Sequence, residues 1–179
     1  MKITKSMLED LHACDDGIRW FEENFPDGEE YQTVLDQLGS ENNYSYAKWL
    51  MDRIPSDNSV LEIDEIKIDG SLFFAGQVIV KKGISITRYL LASQFIKAGQ
   101  FIKAGQGIEA GGSIEAGDGI EAGWGIKAGE GIEAGDDYGI FAGVKIKVGS
   151  WEIGAKVIAK SKPQNLISGF WIEPDAEEK

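Results

Sequence analysis

Residues 94–135 read QFIKAG-QFIKAG-QGIEAG-GSIEAG-DGIEAG-WGIKAG-EGIEAG, seven hexads in a row without a gap. Isoleucine recurs at 96, 102, 108, 114, 120, 126 and 132, alanine stands two places after each, and glycine follows, from Gly99 to Gly135. Each unit alternates apolar, charged, apolar, which is the period of a short strand with side chains in, out, in. Glycine after every strand supplies a corner conformation that other residues resist. Six residues for strand and corner together is too short for a helical period. It fits one face of a three-sided parallel β-solenoid, about 18 residues per coil with coils ~4.8 Å apart. The alternative is a meander of small antiparallel hairpins with two-residue glycine turns.

The register continues outward from this stretch under a less regular sequence. Steps of six back from Ile96 land on Leu90, Ile84, Val78, Leu72 and Ile66, and their partners two places on are Ala92, Ile86, Val80, Phe74 and Ile68. Forward, two extra residues near Asp136-Asp137-Tyr138 shift the phase, which resumes at Ile140 with Ala142 and Ile146 with Val148. Ile153 with Ala155, and Phe170 with Ile172, read as irregular final turns. Residues 66–148 then predict about four and a half coils, a stub ~20 Å tall. The outward charges favour the 18-residue coil. It stacks Lys97 on Glu115, Lys103 on Glu121 and Glu109 on Lys127, with Glu115 on Glu133 as the one like-charged pair. A 24-residue coil would stack Lys103 on Lys127 and Glu109 on Glu133, whereas opposite charges on neighbouring strands help by ~0.2–1 kcal/mol each.

The first 56 residues lack the hexad period. Ser6 with Glu9 makes a capping box and predicts a helix from Met7; Asp15 or Asp16 caps a second, GIRWFEENF, that ends before Pro26. EEYQTVLDQLG reads as a third with Gly39 as its stop, and NNYSYAKWLMDRI as a fourth. The fold expected is therefore mainly β: an acidic helical domain at 1–56, a linker and lead-in at 57–65, a glycine-rich parallel solenoid at 66–172, and an acidic tail at 173–179. A helical unit of this size is marginal alone and is expected to dock on the first coil, capping its open sheet edge.

Composition narrows the chemistry. The 179 residues are 42% apolar and 27% charged, too apolar for bulk disorder. Cys14 is the sole cysteine and His12 the sole histidine. Together they argue against a disulfide framework, a multi-cysteine zinc site, a histidine-ligated metal and a Ser-His-Asp triad. No metal or cofactor is expected, and no catalytic residue. No apolar run approaches the ~18 residues of a membrane span. The first 16 residues lack the apolar stretch of a signal peptide, so a cytoplasmic protein is expected. His12, Cys14 and Asp15 lie close in sequence, but residues i and i+2 of a helix diverge, and Cys14 reads as a small buried residue. Calcium-binding glycine nonapeptides and phosphate-binding loops both need residues that this repeat lacks.

Charge is divided unevenly. Residues 1–65 hold 16 acidic and 5 basic side chains, residues 66–172 hold 10 and 12, and the tail EPDAEEK holds 4 and 1. The acidity gives solubility, or else it engages a basic partner such as a nucleic-acid-binding groove; it argues against this chain binding DNA or RNA itself. Trp124 stands at a corner slot otherwise filled by Gln106, Gly112, Asp118 and Glu130. It reads equally as a contact residue or as cover for an apolar edge.

Hexad β-solenoids suggest acyltransferases, and the resemblance here is partial. That family carries a small residue four places after the aliphatic one, where this chain has Gln100, Gln106, Gly112, Asp118, Trp124 and Glu130. It also works through a histidine base, and residues 66–179 contain none. Two other stretches bear likenesses. ACDDGIRWFEENFPDG with YAKWLMDRI resembles a small helical module of uncharacterised bacterial and phage proteins, and IEAGDGIEAGWGIKAG resembles glycine-rich hexad repeats of bacterial and mobile-element proteins. With no catalytic constellation, these features lead to a non-enzymatic inhibitor of a host defence nuclease complex, of the anti-CRISPR type, encoded by a phage or mobile element and acting in the host cytoplasm. Its partner-binding residues are expected to be Asp15, Asp16, Glu22, Glu23, Asp27, Glu29 and Glu30, with Trp124 and Tyr138 as solenoid-side anchors. The alternative is a self-associating scaffold or adaptor, a homodimer held through C-terminal sheet edges or a flat apolar face around Phe95, Phe101 and Trp124.

Overall fold

A computed structural model describes residues 1–147 and 150–174. The hexads wind into a parallel β-solenoid of about six coils, and four helices lie against its N-terminal half. The first face stacks β3 (Val60–Ile63), β6 (Gln77–Val80), β9 (Ile96–Ala98), β12 (Ile114–Ala116) and β15 (Ile132–Glu133). The second stacks β4 (Ile66–Ile68), β7 (Ile84–Ile86), β10 (Ile102–Ala104), β13 (Ile120–Ala122), β16 (Ile140–Phe141) and β18 (Leu166–Ser168). The third stacks β5 (Leu72–Phe74), β8 (Leu90–Ala92), β11 (Ile108–Ala110), β14 (Ile126–Ala128), β17 (Lys156–Ile158) and β19 (Phe170–Ile172). All these pairings are parallel, so the antiparallel meander is excluded.

The register is the 18-residue one. Ile114 lies opposite Ile96 on one side and Ile132 on the other. Lys97 meets Glu115 at 3.0 Å and Lys103 meets Glu121 at 2.9 Å, while Glu109 stands opposite Lys127 and Glu115 opposite Glu133. Exposed pairs of this kind contribute at most ~1 kcal/mol. The interior dominates. The isoleucines and alanines of every hexad are buried in one continuous core, and fully burying an isoleucine is worth ~1.5–3 kcal/mol.

The glycines act differently from expectation. None of the glycines that follow alanine between 99 and 135 has a positive φ; among described residues, glycine takes one only at 28, 70, 143 and 169. Crowding is the cause. A Cβ on Gly99, Gly111, Gly117 or Gly129 would lie 2.0–2.2 Å from a carbonyl oxygen of the coil before it. The slot before each isoleucine is looser: it accepts Phe95, Phe101 and Ser113, and a Cβ on Gly131 would meet nothing within 4 Å.

The solenoid starts earlier than expected, because β3 already pairs with β6 within the 57–65 lead-in, and it runs to Ile172 as the 66–172 bounds predict. Two expected strands are absent. Ile146 lies in a turn, and Ile153 sits in a short helix, α5 (Trp151–Gly154), 77% exposed. Val148 lies outside the described residues, as does the tail from 175. Ile146 and Ile153 imitate the period without joining a face, and β17 takes the next place on the third face, Val157 opposite Ile126. The first face ends a coil early. Lys160 N–H donates to Glu130 C=O at 2.9 Å, and counting on from there sets Pro163 opposite Glu133, where a ladder N–H is needed and proline has none. Asn165 closes this end by donating its side-chain amide to Ala134 and Gly135 carbonyls at 3.4 and 3.0 Å.

The N-terminal module comprises β1 (Lys2–Ile3), α1 (Lys5–Asp10), α2 (Asp15–Asn24), β2 (Glu29–Glu30), α3 (Tyr31–Ser40) and α4 (Tyr44–Arg53). Four of its expected signals shift. Thr4, not Ser6, caps α1, with its hydroxyl accepting from Met7 N–H. Cys14 is the N-cap residue of α2, and Asp15 and Asp16 occupy its first turn, where carboxylates favour the helix dipole. Glu29 and Glu30 pair with β1, and α3 itself starts at Tyr31 with Glu30 as its N-cap residue. Gly39 lies inside α3, where a side chain would press on the Ser71 carbonyl at 3.1 Å, and Asn42 terminates the helix in the left-handed region at φ 55°.

The module docks on the first coils, but on their flank. Phe73 and Leu91 fill outward slots that in the next two coils of the third face hold Glu109 and Lys127. Both are 1% exposed and share one core with Tyr31, Val34, Leu35, Leu38 and Leu50. Gln32 of α3 closes the open edge of β5 in place of a strand, its amide donating to Phe73 C=O and accepting from Ala75 N–H, each at 2.9 Å. The mouth of the bore stays partly open: Leu61, Ile68, Leu72 and Phe74 are only half-buried.

Candidate interaction surface

The module holds an apolar cavity of about 350 Å³ between α1, α2 and α4. Its wall is aromatic. Trp20 and Phe21 come from α2, Tyr46 and Trp49 from α4, and Leu8 and Leu50 close the floor. The indole of Trp20 is fixed by donation from Nε1 to Glu41 at 2.9 Å and by edge contacts with Phe25 and Tyr46, both 6.0 Å between centroids. Trp49 carries Arg53 over its ring at 4.5 Å. Ordered aromatics in a concave apolar site are the side chains that dominate protein recognition.

His12 and Cys14 sit at the rim of this cavity. Local backbone geometry sets them there. Ala13 N–H donates to Leu8 C=O and His12 N–H to Glu9 C=O, the bond pattern of a Schellman stop, with His12 at φ 59° in the slot that usually carries glycine. The turn delivers Cys14 to the start of α2 with its side chain exposed, which corrects the expectation of a buried thiol. Burial pushes the Tyr46 hydroxyl up from its ordinary value, with Cys14 and Asp16 adding to the shift.

The expected acidic contacts are all on this module, but in unequal states. Asp15, Asp16, Glu22 and Glu23 share one side of α2, since residues seven apart fall two turns along the same face. Asp27, Glu29 and Glu30 follow in the loop and β2. Glu22 is held by Lys5 at 2.7 Å, Glu30 by the terminal amine at 2.8 Å, and Asp16 by Arg19; half-buried Glu29 accepts from Glu30 N–H. Among described residues, Asp15, Glu23 and Asp27 make no hydrogen bond or ion pair, so they are the carboxylates free to engage a partner. Residues 1–57 carry 13 acidic and 5 basic side chains.

Trp124 and Tyr138 lie apart from these residues and from each other. Trp124 stands at the corner between second and third faces, its edge against Tyr89 at 6.0 Å, and Tyr89 stacks on Tyr44 of α4 at 4.2 Å. This aromatic row seals the seam between module and solenoid, and Trp124 remains 45% exposed at its end. Beneath the row, Tyr44 donates to Glu109, which Lys48 also approaches at 3.7 Å. Burial, then the hydrogen bond to Glu109, raises the Tyr44 hydroxyl well above its ordinary value. Tyr138 is 52% exposed at the corner between first and second faces. Phe95, Phe101 and Trp124 precede strands of the first, second and third faces respectively, so they occupy three different corners and form no common flat face.

The cavity went unread in the sequence. Trp20, Phe21, Tyr46 and Trp49 show helical spacing, which signals a core, and nothing in spacing alone distinguishes filled from hollow.

Residues 1–57 match the family model described as the YdhT N-terminal domain, which covers the helical module and stops short of the hexads. Compared with curated proteins and with solved structures, the chain finds no match.

Proposed function

We propose that this chain is a non-enzymatic binding protein whose helical module, which carries both an aromatic cavity and free carboxylates, engages a basic protein partner. The carrying observation is the coincidence of the 350 Å³ apolar hollow with the most acidic part of the chain. An apolar anchor entering the hollow would supply the affinity, and Asp15, Glu23 and Asp27 would supply steering and orientation. The solenoid serves as a rigid mount. The partner class we infer is a host defence nuclease complex, blocked by a phage or mobile-element protein in the host cytoplasm. A basic groove built for phosphates accepts carboxylates held on a stiff support, and the same carboxylates repel nucleic acid itself.

Phage plating on a host with an active CRISPR defence, with and without this chain, is the test. Expression should restore plating, and the triple reversal Asp15→Lys, Glu23→Lys, Asp27→Lys should abolish the effect while the far-ultraviolet spectrum stays the same. Undiminished defence in the presence of the chain, or full protection by the triple variant, would remove the inhibitor reading. Cys14 gives a second readout as the only thiol in the chain: a bound partner should slow its reaction with a small maleimide.

A further inference from the structure

The cavity between α1, α2 and α4 limits its occupant by size, wall and charge. Its volume is about 350 Å³. An apolar hollow of ~150 Å³ holds one benzene ring, so this one admits two fused rings and is too large for a single aliphatic side chain to fill. Four aromatic side chains, Trp20, Phe21, Tyr46 and Trp49, form the wall, and they meet another ring edge to face or offset. No carboxylate, lysine or arginine lines the hollow, so a charge placed inside would lack a counter-ion. The hydroxyls of Ser45 and Tyr46 are at the lining and can accept from a ring N–H. Charge sits just outside. Cys14 and Gly17 line the hollow at the start of α2, and exposed Asp15 and Asp16 stand between them on that turn. Two cations are also near: Arg19 is held by Asp16, and Arg53 lies over Trp49. Asp15 makes no hydrogen bond or ion pair among described residues, and the module as a whole holds 13 acidic against 5 basic side chains.

We infer that the occupant is the indole of a tryptophan that stands between basic residues on the partner protein. Two fused rings fill a hollow that one ring would leave part empty, and a void forfeits contacts on its lining. A buried indole N–H needs an acceptor, which the Ser45 and Tyr46 hydroxyls supply. The flanking cations stay in water above Asp15, where acidic flanks would be repelled. The anchor deepens the reading of the module as the surface that engages a basic partner, and rests on it.

Titration calorimetry of the full chain with three peptides, at two temperatures, tests it. Acetyl-Arg-Trp-Arg-amide should bind, and acetyl-Arg-Ala-Arg-amide and acetyl-Glu-Trp-Glu-amide should each bind at least ~tenfold more weakly. Gly17→Leu puts a side chain into the hollow, where an added Cβ meets nothing nearer than Cys14 Sγ at 3.4 Å. It should weaken the first peptide ~tenfold or more with unchanged circular dichroism, and Ser45→Trp, at an exposed position on the lining, should do the same. Asp15→Asn with Asp16→Asn should bring the two tryptophan peptides to within ~threefold of each other. No binding of the first peptide up to ~1 mM, equal affinity for either of the other two, or full affinity in both Gly17→Leu and Ser45→Trp overturns the anchor. Restored phage plating without peptide binding removes this anchor and leaves the inhibitor reading in place. Peptide binding without restored plating keeps the anchor and removes the nuclease complex as its bearer.

Discussion

The third face shows one backbone put to two uses. In its first two coils the outward slot holds Phe73 and Leu91, and the helical module buries both; in the next two it holds Glu109 and Lys127, and the face is polar. Strand length and register are the same in both halves, while the interior changes from Leu72, Phe74 and Leu90 to isoleucine and alanine. The outward slot sets how the wall meets the helices: by apolar packing at Phe73 and Leu91, and by a hydrogen bond from Tyr44 at Glu109. The difference is large because an outward aromatic gains burial only when something covers it, whereas an exposed ion pair is nearly neutral.

The widest gap between the two halves should appear on truncation. Phe73→Ala is expected to destabilise by ~3–5 kcal/mol, while Lys127→Ala in the polar half of the same face should cost ~1 kcal/mol or less, read from denaturant midpoints. If Phe73→Ala proves as mild as Lys127→Ala, the helices are not held by that slot. A narrower contrast lies between the two glycines of a hexad. Gly117→Ala forces a Cβ to within 2.2 Å of the Gly99 carbonyl and should lose ~1–3 kcal/mol, whereas Gly131→Ala has open space and should change stability by less than ~0.5 kcal/mol. Equal effects at the two sites would refute stacking as the reason for the first glycine.

The seam between covered and polar halves should open in alkali. Burial pushes Tyr31 up to about 12, and Tyr44 is raised as well, first by burial and then by its bond to Glu109. Both stay protonated in the folded protein at pH values where the unfolded chain has released the proton. Folded protein thus binds more protons than unfolded, so stability is full below pH ~10 and falls as pH rises through about 12. Tyrosinate absorbance and loss of circular dichroism should rise together there. Ionisation of all tyrosines on an intact fold would contradict the burial. The smallest effect is on the first face: Glu133→Lys converts the like-charged stack on Glu115 into an opposite one and should gain ~0.2–1 kcal/mol, most clearly at low salt.

Much of this architecture could be read in advance, because the determinants of the solenoid repeat. Isoleucine at every sixth place pointed to strand and face, and opposite signs in three of the four outward pairs 18 apart favoured the 18-residue coil. Other features were hidden for physical reasons. Ile146 and Ile153 keep an apolar rhythm without joining a face, and spacing does not distinguish a strand from a loop with the same rhythm. The glycines showed their identity but not their cause, since crowding by the coil below is a property of the stack. Phe73 and Leu91 carried a partial signal, as apolar residues in the outward slot, but Ile79, Phe141 and Ile158 stand in the same slot without helices over them, so the docking site could not be told from these by sequence. The aromatic cavity left no such trace, because a lined hollow and a filled core demand the same residues.

The three-faced register has a consequence for how chain length can vary. Removing one hexad from the regular stretch would advance everything after it by one face, turning the exposed side chains of Phe141 and Ile167 a third of a revolution away from their present bearing relative to the helices. Removing three would preserve that bearing and shorten the rod by one ~4.8 Å step. The repeat is thus a vernier: single units set azimuth, triplets set distance, and a lineage that gains or loses units can retune either one independently of the other.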